Sequence, residues 1–327
     1  MTSSDHPSPE SEREIVISRD FAAPRELVWD AMTDPRHVVK WWGPRGFTTQ
    51  IEHMDVQVGG TWKHTMTGPD GTRYPNKSIF REVTRPERIV YTHGGGREDG
   101  QGASFVATWQ FEALSADRTR VTIRMVFATS EARDFVVREY GAIEGGKQTL
   151  ERLGEHLAYQ RSEPFVIRRE FAAPRDLVWR AWTEREHLLR WFGPKAFTME
   201  HASQDLRPGG TFHYRLRSPE GAEVWGKFVY REIVPAEKLV WVSSFSDSAG
   251  GVTRHPFASD RWPLYMLVSV TLTEEAGRTI VTLTSLPLDA DEEERRTYTA
   301  TYPSLGQGWG GTLERLAERL EAMRQPA

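Results

Sequence analysis

Residues 19–29 of this chain read RDFAAPRELVW, and residues 169–179 repeat them as REFAAPRDLVW at an offset of 150. The register holds without a gap across residues 19–62, where 21 of the 44 positions are identical in the second copy. A period of this length is too long for a solenoid unit and corresponds to a whole globular domain. The sequence therefore predicts two tandem copies of one fold.

The chain of 327 residues is long enough for two cores of roughly 150 residues each. We expect a disordered tail at residues 1–12, a first domain at residues 13–158, a linker at residues 159–163 and a second domain at residues 164–324. The tail consists mainly of Ser, Pro and charged residues and lacks the apolar region of a signal peptide.

Composition narrows the class of protein. A net charge of -4 and a pI near 6.2 give no basic field for nucleic acid, and no apolar run reaches the length of a membrane span. The absence of cysteine excludes disulfides and thiolate metal sites and agrees with a reducing cytoplasm. We expect a cytoplasmic monomer or weak homodimer with no nucleic-acid partner, no membrane partner, no cofactor and no metal.

Each copy shows the same order of patterns. In the first copy, alternation over Glu14–Phe21 predicts a strand, and helical spacing after Pro24 and Pro35 predicts two short helices. Turn residues divide residues 47–127 into six further strands, and a leucine stripe predicts one long helix over residues 131–159. The second copy repeats this order from residue 165 to the end of the chain.

This order predicts an α+β fold. An antiparallel sheet that curls around a long C-terminal helix buries the leucine stripe of that helix on its concave face. We expect such an arrangement in each copy, with an internal cavity between the sheet and the helix.

Alternation along the strands indicates which side chains face that cavity. Trp62, His64 and Met66 share one face of a predicted strand, and Phe212 and Tyr214 take the corresponding places in the second copy. The candidate ligand-binding residues of the first copy are Trp41, Trp42, Trp62, His64, Met66, Tyr91, Trp109, Phe111 and Met125. Those of the second copy are Trp191, Phe192, Phe212, Tyr214, Trp225, Trp241 and Trp309.

No set of residues indicates a catalytic centre. The chain has no Gly-x-Ser-x-Gly motif, and no pattern of three metal ligands recurs in both copies. His64 could act as an acid or base and Tyr214 could donate a hydrogen bond, but neither has a visible partner group. Because Trp225 and Trp241 add volume to the second copy, we expect the more open cavity in the first.

Several motifs point to a known family. FAAPRELVW, WWGP, GGTW and PERIVY in the first copy, and Gly308-Trp309 in the second, resemble the Hsp90-ATPase-activator-homologue branch of the START/Bet v1-like (SRPBCC) superfamily. The resemblance covers each copy almost end to end and implies two tandem helix-grip domains, each with a hydrophobic pocket. Superfamily members bind lipids, hormones or polyketides, some cyclise polyketides, and some sequester antibiotics.

Three classes of function remain open, because function depends on the site and not on the fold. The first is binding of a small hydrophobic molecule, such as a polycyclic polyketide, for sequestration, transport or antibiotic resistance. The second is a polyketide cyclase or aromatase. The third is an Hsp90-type co-chaperone, which we rank lowest because the chain begins almost directly with the first copy.

Overall fold

The computed structural model describes residues 10–97, 102–256, 258 and 260–324. The chain divides into two compact units at residues 1–160 and 161–327. Of the expected tail, residues 1–9 lie outside the described residues, and Glu10–Glu12 forms one turn of 3-10 helix. The expected linker at 159–163 is helical up to residue 161, because the last helix of the first domain runs on without a break.

The first domain contains a seven-stranded antiparallel sheet and four helices. The strands are β1 (Glu14–Phe21), β2 (Thr48–Met54), β3 (Thr61–Thr67), β4 (Arg73–Thr84), β5 (Arg88–Gly95), β6 (Ala103–Ser115) and β7 (Arg118–Phe127). The helices are α1 (Arg25–Thr33), α2 (Pro35–Trp41), α3 (Ser130–Tyr140) and α4 (Ala142–Arg161). The strand order is β1-β7-β6-β5-β4-β3-β2, so β1 closes on the last strand and β2 to β7 form a meander.

The core of this domain lies between the sheet and α4. Leu150, Leu153 and Leu157 of α4 are buried in the same cluster as Trp62 of β3 and Trp109 of β6. The register of β4 against β5 shifts by one residue between positions 80 and 82. A bulge of this kind bends a strand and increases its twist, which helps the sheet curve around the helix.

The predicted single helix over residues 131–159 is wrong at one point. Gly141 has φ 58° and ψ 35°, which is left-handed backbone, and it ends α3 before α4 begins at residue 142. Glycine adopts this conformation without the penalty that a Cβ imposes. The leucine stripe lies wholly on the second helix, so the break does not disturb the packing.

The second domain repeats the architecture. Its strands are β8 (Phe165–Phe171), β9 (Thr198–Gln204), β10 (Thr211–Arg217), β11 (Glu223–Val234), β12 (Lys238–Ser246), β13 (Val252–Thr253), β14 (Tyr265–Glu275) and β15 (Arg278–Leu288). Its helices are α5 (Arg175–Thr183), α6 (Arg185–Trp191), α7 (Glu292–Ala300) and α8 (Tyr302–Arg324). The sheet order is β8-β15-β14-β12-β11-β10-β9, and the short β13 pairs with β12.

Leu313, Leu316 and Leu320 of α8 are buried in the second core, as the leucines of α4 are in the first. The predicted α+β fold of two helix-grip domains is therefore confirmed. Within the described part of the chain, no helix combines the length and apolarity needed to cross a membrane.

Candidate functional site

The first domain contains a cavity of about 300 Å³. Its walls come from the inner face of β3 to β7, from α3 and α4, and from the loop that follows α2. Almost all of the lining side chains are apolar or aromatic. Of the lining residues that the structure describes, Glu139 is the charged one, and its side chain is exposed at the surface.

The structure brings five of the nine candidate residues of this domain to the cavity wall. They are Trp42, His64, Met66, Tyr91 and Met125. They come from the loop after α2 and from β3, β5 and β7, so the wall joins segments far apart in the sequence.

The other four candidates, Trp41, Trp62, Trp109 and Phe111, lie in the packed core and do not line the cavity. Each is at most 1% exposed. The indole N–H of Trp41 donates to the backbone carbonyl of Ala31 over 2.9 Å, which directs the ring toward α1. Alternation identified the correct face of each strand, but it carries no information on depth within the domain.

Several residues of the cavity wall were not among the ligand-binding residues predicted from the sequence. Alternation from Tyr91 would have pointed to His93, which lies two residues further along β5. The positions of the others follow only from the tertiary fold. The lining residues that were missed include Tyr74, Asn76, His93, Phe105 and Tyr140.

A hydrogen bond between two side chains organises the polar part of this wall. The indole N–H of Trp42 donates to Nε2 of His64 over 3.1 Å, and the imidazole stacks on Trp62 with ring centroids 4.3 Å apart. His64 is 2% exposed, and burial lowers its pKa to about 3. The ring is therefore neutral near pH 7.

His93 is a second neutral histidine on the same wall. Its Nδ1 forms a hydrogen bond of 3.2 Å with Oγ of Ser78, and its ring stacks on Phe105 with centroids 4.4 Å apart. Burial lowers the pKa of His93 to about 4. Neither histidine can therefore supply a positive charge to a ligand at neutral pH.

The second domain has a cavity of about 500 Å³ in the corresponding place. Four of its seven candidates line it, namely Phe192, Tyr214, Trp225 and Trp309. Trp191, Phe212 and Trp241 lie in the packed core, each at most 1% exposed. The lining residues that the sequence analysis missed include Phe197, Phe245, His255 and Trp262.

Tyr214 occupies the position of His64, and Phe192 occupies that of Trp42. Burial raises the pKa of Tyr214 above its usual range, so the hydroxyl stays protonated. Its ring lies directly over Gly226, where a Cβ would come within 2.4 Å of Oη. The second cavity thus has a phenol where the first has a histidine.

A model of the family described as Activator of Hsp90 ATPase homolog 1-like protein matches residues 22–158 and 172–321. The chain belongs to this family. Each matched segment falls within one helix-grip domain, so the chain is a tandem pair of Hsp90-ATPase-activator-like domains. The resemblance to this branch of the START/Bet v1-like superfamily is confirmed.

Some solved structures are similar to about half of this chain, and one is similar to nearly all of it. Protein Ms6760 from Mycobacterium smegmatis is 27% identical and matches 46% of this chain and 95% of its own, with a TM-score of 0.42. A protein from Arthrobacter aurescens is 28% identical over 48% of this chain and 93% of its own, with a TM-score of 0.43. BexL, a di-domain ARO/CYC from the BE-7585A biosynthetic pathway, is 13% identical over 96% of this chain and 100% of its own, with a TM-score of 0.47. The search of curated proteins gives no match.

The expectation of a more filled second Hsp90-ATPase-activator-like domain is wrong, because its cavity is the larger of the two. Trp241 fills the core and not the cavity. The ring of Trp225 stacks on His213 with centroids 4.9 Å apart. The longer segment between β12 and β14 contributes His255 and Trp262 to the wall.

The second Hsp90-ATPase-activator-like domain also contains a cluster of two carboxylates and a histidine, Glu184, Glu186 and His187. Two guanidinium groups already occupy it. Arg180 pairs with Glu184 at 2.8 Å, and Arg319 donates to Nδ1 of His187 over 2.8 Å. Neighbouring positive charges oppose the binding of a cation, so the cluster fits an ion-pair network.

Proposed function

We propose that this chain binds a small, mainly apolar molecule in its internal cavities, with polycyclic polyketide-like compounds as the leading class. The observation that carries the proposal is the cavity of about 300 Å³ in the first domain, which has an aromatic wall and two neutral histidines. Ligand sites in proteins are commonly concave and apolar, with few polar groups that fix orientation. Sequestration, transport and self-resistance all require this type of binding.

The state of the polar groups favours binding over catalysis. An effective general base has a pKa near the working pH, whereas burial lowers the pKa of His64 to about 3. Burial also raises the pKa of Tyr91 above its usual range, so this phenol is a poor acid at neutral pH. These groups can orient a ligand through hydrogen bonds, but they are poorly suited to move a proton near pH 7.

The affinity would come mainly from buried apolar surface. Transfer of apolar area from water contributes about 25 cal/mol per Å². Aromatic rings that contact a flat ligand add stacking and edge-to-face interactions. Trp42, Tyr74 and Phe105 line the first cavity and can make such contacts.

The proposal can be tested with fluorene, a rigid tricyclic hydrocarbon, by equilibrium dialysis against the whole chain. Met125→Trp places a large ring in the first cavity, and we expect it to abolish binding there and lower the stoichiometry. Val106→Trp is the matched control, because Val106 is 42% exposed on the neighbouring strand and does not line the cavity. We expect this control to bind as the unaltered chain does.

Two outcomes would count against the proposal. If the unaltered chain bound no polycyclic probe at its solubility limit, the cavity would have no role in binding. If a bound polyketide probe were converted to a cyclised product, and His64→Phe abolished the conversion, the cyclase alternative would replace simple binding.

A further inference from the structure

The contact between Trp42 and His64 determines which nitrogen of the imidazole carries the proton. An indole nitrogen is a donor and never an acceptor. Because Trp42 donates to Nε2 of His64, this nitrogen must have a free lone pair. The neutral ring therefore carries its proton on Nδ1.

Among the described residues, none forms a hydrogen bond with the Nδ1–H group of His64. The nitrogen atom is buried. Its neighbours do not accept from it: Trp62 stacks on the face of the ring, and Asn76, opposite on β4, donates its amide N–H to the carbonyl of Tyr74 over 2.6 Å and makes no hydrogen bond to His64. Unpaired buried donors are uncommon in folded proteins and call for an explanation.

The place of this donor distinguishes it from the other unpaired nitrogens of the first domain. Trp62 also has a buried indole N–H without a described partner but does not line the cavity, and Trp262, whose unpaired indole N–H does lie on a cavity wall, belongs to the second domain. His64 does line the first cavity. A molecule in the cavity is thus the available source of an acceptor for Nδ1–H.

The cavity wall also restricts the charge of the ligand. Glu139 is the charged lining residue among those described, and its carboxylate is paired with Arg138 at 2.8 Å. His93 is neutral near pH 7. Among the described lining residues an anionic group finds no counter-ion and a cationic group finds only the already paired carboxylate of Glu139, so the loss of hydration would be poorly compensated.

We propose that the first cavity selects a neutral, mainly apolar molecule that carries a carbonyl-type oxygen, and that this oxygen accepts the Nδ1–H of His64. The proposal rests on the proposed binding function and specifies the chemistry of its ligand. Trp42 acts as a positioning residue. Its hydrogen bond to Nε2 keeps the proton of His64 on Nδ1, and Trp42 itself need not contact the ligand oxygen.

The second domain has no equivalent of the hydrogen bond between Trp42 and His64. Phe192 stands in place of Trp42 and cannot donate, and Tyr214 stands in place of His64. The imidazole donor therefore belongs to the first cavity. His53→Phe is the matched control for His64→Phe, because His53 is exposed on β2 of the same domain and does not line the cavity.

Equilibrium dialysis with 9-fluorenone and fluorene tests the proposal, because the two probes differ by one carbonyl group. We expect the unaltered chain to bind 9-fluorenone about tenfold more tightly than fluorene, as one neutral hydrogen bond in a dry site allows. His64→Phe should remove this preference and leave fluorene binding intact. His53→Phe should keep it, and Tyr214→Phe reports whether the phenol of the second cavity contributes to it. A carboxylated 9-fluorenone should bind at least about tenfold more weakly than 9-fluorenone itself, since its charge finds no partner.

The outcomes separate the two proposals. If neither neutral probe binds, the binding function itself is wrong. If both bind equally, or if Tyr214→Phe and not His64→Phe removes the preference, binding stands and the role of His64 is wrong. Nitrogen-15 NMR of the unaltered chain gives a test that needs no variant: a proton on Nε2 of His64 instead of Nδ1 would overturn the proposal.

Discussion

Arg152 of α4 and Arg315 of α8 make the same contact, each within its own domain. Nη1 of Arg152 donates to the backbone carbonyls of residues 43, 44 and 47 at 2.8, 2.9 and 3.2 Å. Nη1 of Arg315 donates to those of residues 193, 194 and 197 at 3.1, 3.0 and 3.0 Å. These loops line the two cavities, so in each domain one guanidinium joins the terminal helix to a cavity wall.

Arg152→Ala should loosen the wall of the first cavity alone. Hydrogen bonds to a charged donor contribute about 1.5–3 kcal/mol, so we expect the free energy of local opening to fall by about 2 kcal/mol. Amide hydrogen exchange should become faster over residues 42–47 and stay unchanged over residues 192–197. Arg315→Ala should give the converse pattern, and equal effects of either variant on both loops would contradict this assignment.

The adjacent residues Trp41 and Trp42 should have separable roles. Trp41→Phe leaves the buried carbonyl of Ala31 unpaired and removes core volume, so we expect the first domain to lose about 2 kcal/mol of stability. Its preference for 9-fluorenone over fluorene should persist. Trp42→Phe should have the smaller effect on stability and should weaken the preference, because both tautomers of His64 then become available.

Urea denaturation followed by circular dichroism measures the stability of the two variants. Dialysis of 9-fluorenone and fluorene measures their probe preference. The conclusion would fail if Trp41→Phe changed the probe preference while Trp42→Phe left it intact.

The first domain should lose stability in mild acid. Burial lowers the pKa of His64 to about 3 and that of His93 and His156 to about 4, whereas an unfolded histidine titrates near 6.5. Above about pH 6.5 neither state is protonated at these sites, so stability does not change there. As the pH falls from about 6.5 toward about 4, the unfolded chain takes up as many as three protons that the folded domain excludes.

The slope of unfolding free energy against pH measures this uptake. We expect His64→Phe to reduce it by about one proton between pH 5 and pH 6. Denaturant-dependent amide exchange of β3 and β4 reports on this domain specifically. An unchanged slope in the variant would show that His64 already titrates normally in the folded state.

Affinity for 9-fluorenone should be constant between pH 5.5 and pH 8. His64 remains neutral throughout this range because its pKa is lowered to about 3. Its Nδ1–H is therefore always available, and the probe itself does not titrate. Dialysis at several pH values checks this, and a loss of affinity centred near pH 6.5 would mean that a normally titrating histidine controls binding.

Gly226→Ala should disturb the second cavity. A Cβ at this position would lie 2.4 Å from both Cζ and Oη of Tyr214, and an aromatic ring yields only by moving as a whole. We expect a loss of about 1–3 kcal/mol in the stability of the second domain and weaker fluorene binding there.

Gly308→Ala is the matched control, since it also lies on the wall of the second cavity but has no atom within 4 Å of its would-be Cβ. This variant should keep fluorene binding and gain up to about 1 kcal/mol from the higher helix propensity of alanine. Equal behaviour of the two alanine variants in urea denaturation and dialysis would contradict the packing argument.

The sequence predicted the fold well because its signals are local and occur twice. The repeat of residues 19–29 at 169–179, strand alternation and the leucine stripes depend on near neighbours in the chain. The sequence did not predict the break at Gly141, because the hydrophobic pattern continues across it. Only the backbone geometry shows the left-handed turn.

The candidate site was predicted less completely, and Trp41 and Trp42 show why. Both are aromatic and both end the same short helix, yet one is core and the other lines the cavity. Which of the two contacts a ligand depends on how α2 is rotated against the sheet. Asn76 of β4 also enters the wall only through the tertiary fold, whereas alternation from Tyr91 already points to His93 on the neighbouring strand β5.

By itself, the sequence determined the duplication, the α+β class and the inward face of each strand, because these follow from spacing along one segment. Only the tertiary structure decided the depth of each side chain and the contact of Trp42 with His64, 22 residues further along. That contact sets the tautomer, and with it the hydrogen-bonding character of the cavity. It arises because the loop after α2 is held against β3, an arrangement that depends on the packing of the whole domain.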